Sequence, residues 1–307
     1  MERQTGVLEK LLGEGTEHDR VPIIAACTKA RSEYPHAAGT ADFAAANGDW
    51  PLARWIALEV LKRKSQWSGD SVDAHLPLIV GITGPQGCGK TTLCASLIVR
   101  YIQPTIVATG LRASWIGAAE AAEAASIVEG QVEWQKKQNI MLPKYDKSQM
   151  DGAGDRSKED VPLDATSLDV FLLEGWMLGF RHVDPKVLTE WNFPEQQQAE
   201  LHQINESLKD YESLYAYIDM WLIVKVETPK WVYNWRRQQE EDTRIQTGSG
   251  MTAGEVNGFV DRFMPLYTVY LPGLYANPPL SGKDPDDRRC LLIEVTEQRT
   301  VKHAAFL

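Results

Sequence analysis

The sequence predicts a three-layer α/β protein, a parallel sheet flanked by helices, with a helical extension at its N-terminus. Three observations predict it. Short, almost uninterrupted apolar runs recur along the chain, and strands buried on both faces read this way. Helix-like stretches lie between them, so strands and helices alternate. One apolar run passes straight into a glycine-rich turn and then into a helix, LPLIVGIT followed by GPQGCGKTT and LCASLIVRYI.

Residues 1–76 read as punctuated helices: GVLEKLL, VPIIAACTKARSEY and DFAAANGDWPLARWIALEVLKRK. In the last, Trp55, Leu58 and Leu61 recur three apart on one face, and the basic LKRK suits a helix C-terminal end. WSGDSVDAHLP is a polar connector that divides this extension from a domain over 77–307. The first strand of that domain spans 76–83. The stretch TIVATGLRASWIGAAEAAEAASIV (105–128) is rich in Ala and Glu and reads as a helix over 114–128. Further strands follow at 168–173, ending in Glu174-Gly175, at 218–226 and at 290–295, with helices at 195–216 and 228–247.

Composition narrows the possible functions. At 307 residues the chain can bury a full core. A net charge of −10 disfavours a nucleic-acid partner, because phosphate backbones are gripped by clustered Lys and Arg. The small basic groups that exist suit a small anionic substrate better than a polymer. Cys27, Cys88, Cys94 and Cys290 have neither metal-ligand spacing nor disulfide-scaffold density, and read as reduced thiols. No apolar run approaches a membrane span, and the first twenty residues carry no apolar signal core, so a cytoplasmic location is expected.

Gly84-Pro85-Gln86-Gly87-Cys88-Gly89-Lys90-Thr91 fits G-x-x-x-x-G-K-[ST] at every position, with Thr92 continuing into the helix. Glycines let backbone N–H groups ring a phosphate, and the helix N-terminus adds its positive dipole end. Lys90 would reach the β- and γ-phosphates of ATP, and Thr91 would offer a hydroxyl to Mg²⁺. Strand before and helix after are the context this P-loop requires. Glu174 follows an apolar strand, the end at which α/β sheets bind ligands. No guanine-recognition signature is visible, which disfavours a GTPase.

Three later stretches carry a more specific likeness: LPKYDKSQMDGAGDRS (142–157), FLLEGWMLGF (171–180), and WVYNWRRQQE running on to MTAGEVNGFVDRFMPLYTVYLPGLY (231–275). With GPQGCGKTTL they resemble the plant-type D-glycerate 3-kinases and their fungal ATP-dependent kinase relatives, P-loop kinases grouped with phosphoribulokinase, uridine kinase and pantothenate kinase. The resemblance implies that Tyr145, Asp146 and Lys147 border the substrate pocket, with Asp146 close to the reacting groups. It implies that Asp155 and Arg156 order that loop or hold a substrate carboxylate, and that Glu174 contacts Mg²⁺ or its water. Arg236, Arg237 and Arg244 become lid residues that close over the phosphates. On the residues alone, Arg236 and Arg237 pair with Glu240 and Glu241 one helical turn on, as ordinary surface chemistry. The tryptophans Trp176, Trp191, Trp221, Trp231 and Trp235 read as core and interface.

The chain departs from that family in one place. There the strand after the P-loop helix ends in an Asp-Asp-Phe-Tyr-like block and an Arg-Gly…His-Asp loop follows. Between Asp73 and Asp146 this sequence holds no aspartate, and between His75 and His182 no histidine. Both the acid-bearing strand and the acceptor loop are therefore expected to be missing. The reading is a kinase that transfers the γ-phosphate of Mg·ATP to a small hydroxylated acid, D-glycerate first. The alternative is a nucleotide-binding relative with weak or no transfer. A remodelled acceptor site, an inactive relative and a gene product lacking an exon each account for the gap.

Overall fold

The computed structural model describes residues 52, 55–56, 59–60, 78–97, 106–109, 139–146, 155–164, 170–248, 250–279 and 289–307. Its frame is a six-stranded sheet in the order β2-β5-β1-β6-β7-β8. β1 (Leu78–Thr83) lies between β5 (Val170–Gly175) and β6 (Met220–Val226), parallel to both. β2 (Ile106–Thr109) pairs parallel outside β5, and β7 (Cys290–Val295) parallel outside β6. β8 (Val301–Phe306) turns back antiparallel on β7 and closes that edge.

Every residue of β1 and β5 is buried, which accounts for their unbroken apolar sequence. The strands foreseen near 76–83, 168–175, 218–226 and 290–295 are all present. β2 corrects one expectation. The strand after the P-loop helix is not missing: Ile106–Thr109 forms it, four residues long at the sheet edge. Its brevity and its run into an alanine-rich stretch hide it in the sequence. The helix expected over 114–128 lies outside the described residues.

A separate two-stranded antiparallel ribbon joins β3 (Asn139–Asp146) to β4 (Asp155–Asp164). It occupies the stretch containing PKYDKS. Six helices are described besides the helical residues Leu52, Trp55, Ile56, Glu59 and Val60. They are α1 (Lys90–Leu97), α2 (Pro185–Thr189), α3 (Glu195–Tyr215), α4 (Trp231–Thr247), α5 (Ala253–Asp261) and α6 (Met264–Ala276).

Local chemistry sets their limits. α3 buries Leu201, Asn205, Leu208, Tyr211 and Leu214 along one stripe. α4 stops at Gly248, whose left-handed φ of 77° returns its N–H to the Arg244 carbonyl. Thr252 and Glu255 form a reciprocal capping box that starts α5. Leu52, Trp55 and Ile56 are buried in the same core as the sheet, and the Trp55 ring lies 5.9 Å from that of Phe306 in β8. Among the described residues no helix is long and apolar enough to cross a membrane.

Candidate active site

The order of strands puts a switch point at β1, with neighbours leaving to either side, and open α/β sheets bind ligands beyond the carboxyl ends of such strands. The P-loop leaves β1 at that point and enters α1 at Lys90. Gly87 has a φ of +75°, and a Cβ there would stand 2.7 Å from Cβ of Trp235 on α4. No other residue type fits that place without moving the helix. Gly84 is as tightly held: its Cβ would lie 2.7 Å from the Val224 carbonyl oxygen.

Lys90 is buried and folds back over the loop. Its Nζ donates to the carbonyls of Gly84 at 2.7 Å and Pro85 at 2.9 Å. A third, longer contact runs to Cys88 Sγ at 3.9 Å, so the ammonium ion has only neutral partners and is placed for an anion that would take over those contacts. Cys88 N–H points to the same side, 3.4 Å from the Pro85 oxygen. The Cys88 thiol is buried, and burial pushes its pKa up, so it stays neutral beside the ammonium.

β1 and β5 are in register with Ile82 beside Glu174 and Thr83 beside Gly175. Glu174 therefore sits one strand over from the point where the P-loop begins. Thr91 Oγ1 donates to Glu174 Oε1 at 2.7 Å, which joins the two residues assigned to a metal. Cys94, one turn into α1, lies against the same carboxylate; burial first and the Glu174 charge second push its thiol pKa well up. β2 reaches the same level, with Thr109 beside Leu173. β2 reads Ile-Val-Ala-Thr and carries no acid.

The substrate-side candidates gather on the ribbon. Tyr145 is paired with Arg156 and Asp146 with Asp155, so four of the five lie at one end of it. Lys147 lies outside the described residues. The arginines of α4 have other partners. Arg236 is mostly buried, 2.6 Å from Glu240, with its guanidinium carbon 4.5 Å above the Phe259 ring. Glu240 also accepts the Met251 N–H. Arg237 bonds Asn234 and Asn257, and Arg244 bonds Glu241 and the Met251 carbonyl. The pairing read from helical spacing is thus present for Arg236, and these contacts tie α4 to α5 and the turn before it.

Two groups with no sequence signature also touch the loop. Tyr267 on α6 is buried, and its hydroxyl accepts the Gln86 N–H at 3.0 Å. Its ring packs edge-on against Trp176, two residues after Glu174. Arg299, in the turn between β7 and β8, donates from Nε to the Gly87 carbonyl at 2.6 Å. Aromatic spacing along α6 marks Tyr267 as core but not as a loop partner, and nothing local marks Arg299. A cavity of about 480 Å³ between α3 and α6, which includes Arg181, Lys209, Glu212 and Tyr270 in its lining, has no P-loop residue in its wall.

No protein-family model matches the chain. Chloroplastic D-glycerate 3-kinase of Arabidopsis thaliana is 33% identical over 287 residues, covering 81% of this chain and 59% of that protein's length. An uncharacterized kinase of Schizosaccharomyces pombe is 30% identical over 261 residues, covering 73% of this chain and 89% of the yeast protein. Among solved structures, D-glycerate 3-kinase from Cryptococcus neoformans superposes with a TM-score of 0.66 at 23% identity, over 84% of this chain and 99% of that one, a likeness of fold. The likeness to the fission-yeast kinase runs through most of both chains, and with it the protein belongs to the family of plant-type D-glycerate 3-kinases and their fungal kinase relatives.

Proposed function

We propose that the protein is a Mg·ATP-dependent kinase that phosphorylates a hydroxyl of a small acid, D-glycerate being the first candidate. The observation that carries this reading is the 2.7 Å contact of Thr91 with Glu174 beside a P-loop whose lysine is held by two loop carbonyls and the Cys88 sulfur, all neutral groups. Thr91 hydroxyl and Glu174 carboxylate are hard oxygen donors, and Mg²⁺ characteristically takes one or two such protein ligands and completes its shell with phosphate and water. Among the described residues no cluster of three or more His, Cys, Asp or Glu side chains is placed to hold a metal ion, so the fit is to a phosphate-shared ion. Bound there, Mg²⁺ would neutralise charge on the phosphates.

The chain's own groups supply alignment and positive charge, which are most of what phosphoryl transfer asks of a protein. Lys90 would exchange its two carbonyl partners for phosphate oxygens. The ribbon end bearing Tyr145, Asp146, Asp155 and Arg156 would receive the acceptor, with Asp146 taking the proton of its hydroxyl. Closure of Arg236, Arg237 or Arg244 over the phosphates would require each to leave the partners named above. The absence of a carboxylate in β2 favours a second reading, a nucleotide-binding relative with weak transfer. Loss of a general base costs about 10²–10⁴-fold in rate.

A coupled assay of ADP release, run with D-glycerate and a panel of sugars and nucleosides, separates the two. The kinase reading expects acceptor-dependent ADP release with one of them. Measurable ATP binding without any such release would overturn it. Lys90→Ala is expected to abolish ATP binding or turnover, and unchanged affinity and rate would remove the P-loop assignment itself.

A further inference from the structure

Arg299 is the one non-glycine among the described residues with a positive φ, 62°. The left-handed region costs an L-residue roughly 1–2 kcal/mol, so the surrounding contacts must hold it there. Those contacts are specific. The turn is closed by Arg299 N–H on the Thr296 carbonyl and Thr296 N–H on the Thr300 carbonyl, both at 2.9 Å. From this turn the guanidinium reaches two other parts of the molecule. Nε donates to the Gly87 carbonyl at 2.6 Å and one terminal nitrogen to Gln238 Oε1 at 3.1 Å, while its carbon lies 5.1 Å from the Trp235 ring centre. Trp235 returns a bond to the turn, its Nε1 donating to the Glu297 carbonyl at 2.7 Å.

The Gly87 carbonyl belongs to the same planar trans peptide as the Cys88 N–H, so the two point in opposite directions. Holding the oxygen on the outer side aims the N–H at the inner side, where it donates to the same Pro85 carbonyl that Lys90 bonds and, like Lys90, would exchange that carbonyl for a phosphate oxygen. A peptide that begins at a glycine is the one most free to turn over. Trp235 packs behind Gly87 but offers no donor to its carbonyl; Arg299 does. The guanidinium also sets a positive charge against the Gly87 carbonyl, beside the Trp235 ring.

We propose that Arg299 is a positioning residue for nucleotide binding, holding the Gly87–Cys88 peptide in the orientation that presents Cys88 N–H to a phosphate. This rests on the nucleotide-binding reading above. In this role Arg299 acts through the loop, by its bond to the Gly87 carbonyl.

The test measures MgADP affinity by calorimetry for wild type, Arg299→Ala and Arg299→Lys, together with thermal unfolding of each without nucleotide. Arg299→Ala is expected to weaken MgADP by roughly tenfold or more, the scale of a lost charge-assisted hydrogen bond. Arg299→Lys keeps the charge but not the planar fork, and is expected to fall between the two. In turnover assays the KM for ATP should rise while kcat at saturating ATP stays close to wild type. Equal MgADP affinity in wild type and Arg299→Ala overturns the proposal alone. So does a parallel loss of ATP and acceptor binding with unfolding at a much lower temperature, the pattern of general damage. Should Arg299→Ala fail to fold, Arg299→Lys decides: full wild-type affinity overturns the proposal and a partial loss supports it. Wild-type protein that binds no MgADP overturns the nucleotide reading first, and this proposal with it.

Discussion

Lys90, Thr91 and Glu174 could be read from the chain because each belongs to a local pattern, a loop or a strand end. Tyr267 could not, because its partner Gln86 is 181 residues away and only folding brings them together. The two kinds of residue fail differently when changed. Tyr267→Phe leaves the ring packing against Trp176 in place but removes the acceptor for a P-loop N–H. A fully buried donor without a partner costs about 1–3 kcal/mol, and Gln86 is only half-buried, so urea unfolding should show a loss of about 1 kcal/mol. Burial holds the Tyr267 pKa well above the usual phenol value, so this contact should not vary across the ordinary working pH range. Asp146 was singled out on a likeness alone, and the ribbon gives it a definite neighbour, Asp155.

Four of the six main-sheet strands were legible because burial on both faces leaves them almost wholly apolar. β8 was not, since VKHAAF is an edge strand with exposed Lys302 and His303, and its polarity resembles a loop. β3 and β4 were missed for a related reason. They pair only with each other, and a ribbon carrying Pro143 and a run such as Arg-Ser-Lys-Glu-Asp gives no continuous apolar signal. At the β6-β7-β8 edge, Glu294 lies 3.2 Å from Lys225 and 3.0 Å from Lys302. Its carboxyl pKa is held below the usual value, first by Lys302 and then by Lys225, against the opposing effect of burial. A depressed pKa stabilises the fold above the carboxyl's ordinary range and loses that contribution as pH falls through the folded value. Unfolding measured from pH 7 down to pH 3 should therefore show a shallower acid-side decline in Glu294→Gln than in wild type. At pH 7 the variant should be less stable by about 1 kcal/mol or less, since both lysines are partly exposed.

At the scale of the molecule, the division into a helical extension over 1–76 and a kinase domain over 77–307 meets a specific contact. Trp55 packs on Phe306, and Leu52 and Ile56 enter the core that holds the sheet. Removing residues 1–76 would uncover that core, so Trp55→Ala should cost about 3 kcal/mol in global unfolding and keep a single transition. An independent early transition, unaffected by the substitution, would show instead that this helix stands apart from the sheet. The contact between Gly87 and Arg299 spans 212 residues. During synthesis the P-loop sequence leaves the ribosome long before the turn that braces it, by about 10–40 s at ordinary elongation rates. Given the role proposed for Arg299, an unfinished chain carries the whole phosphate-binding motif yet cannot lock it. Competence to hold nucleotide would arrive only once the β7–β8 turn has been made and folded against the loop.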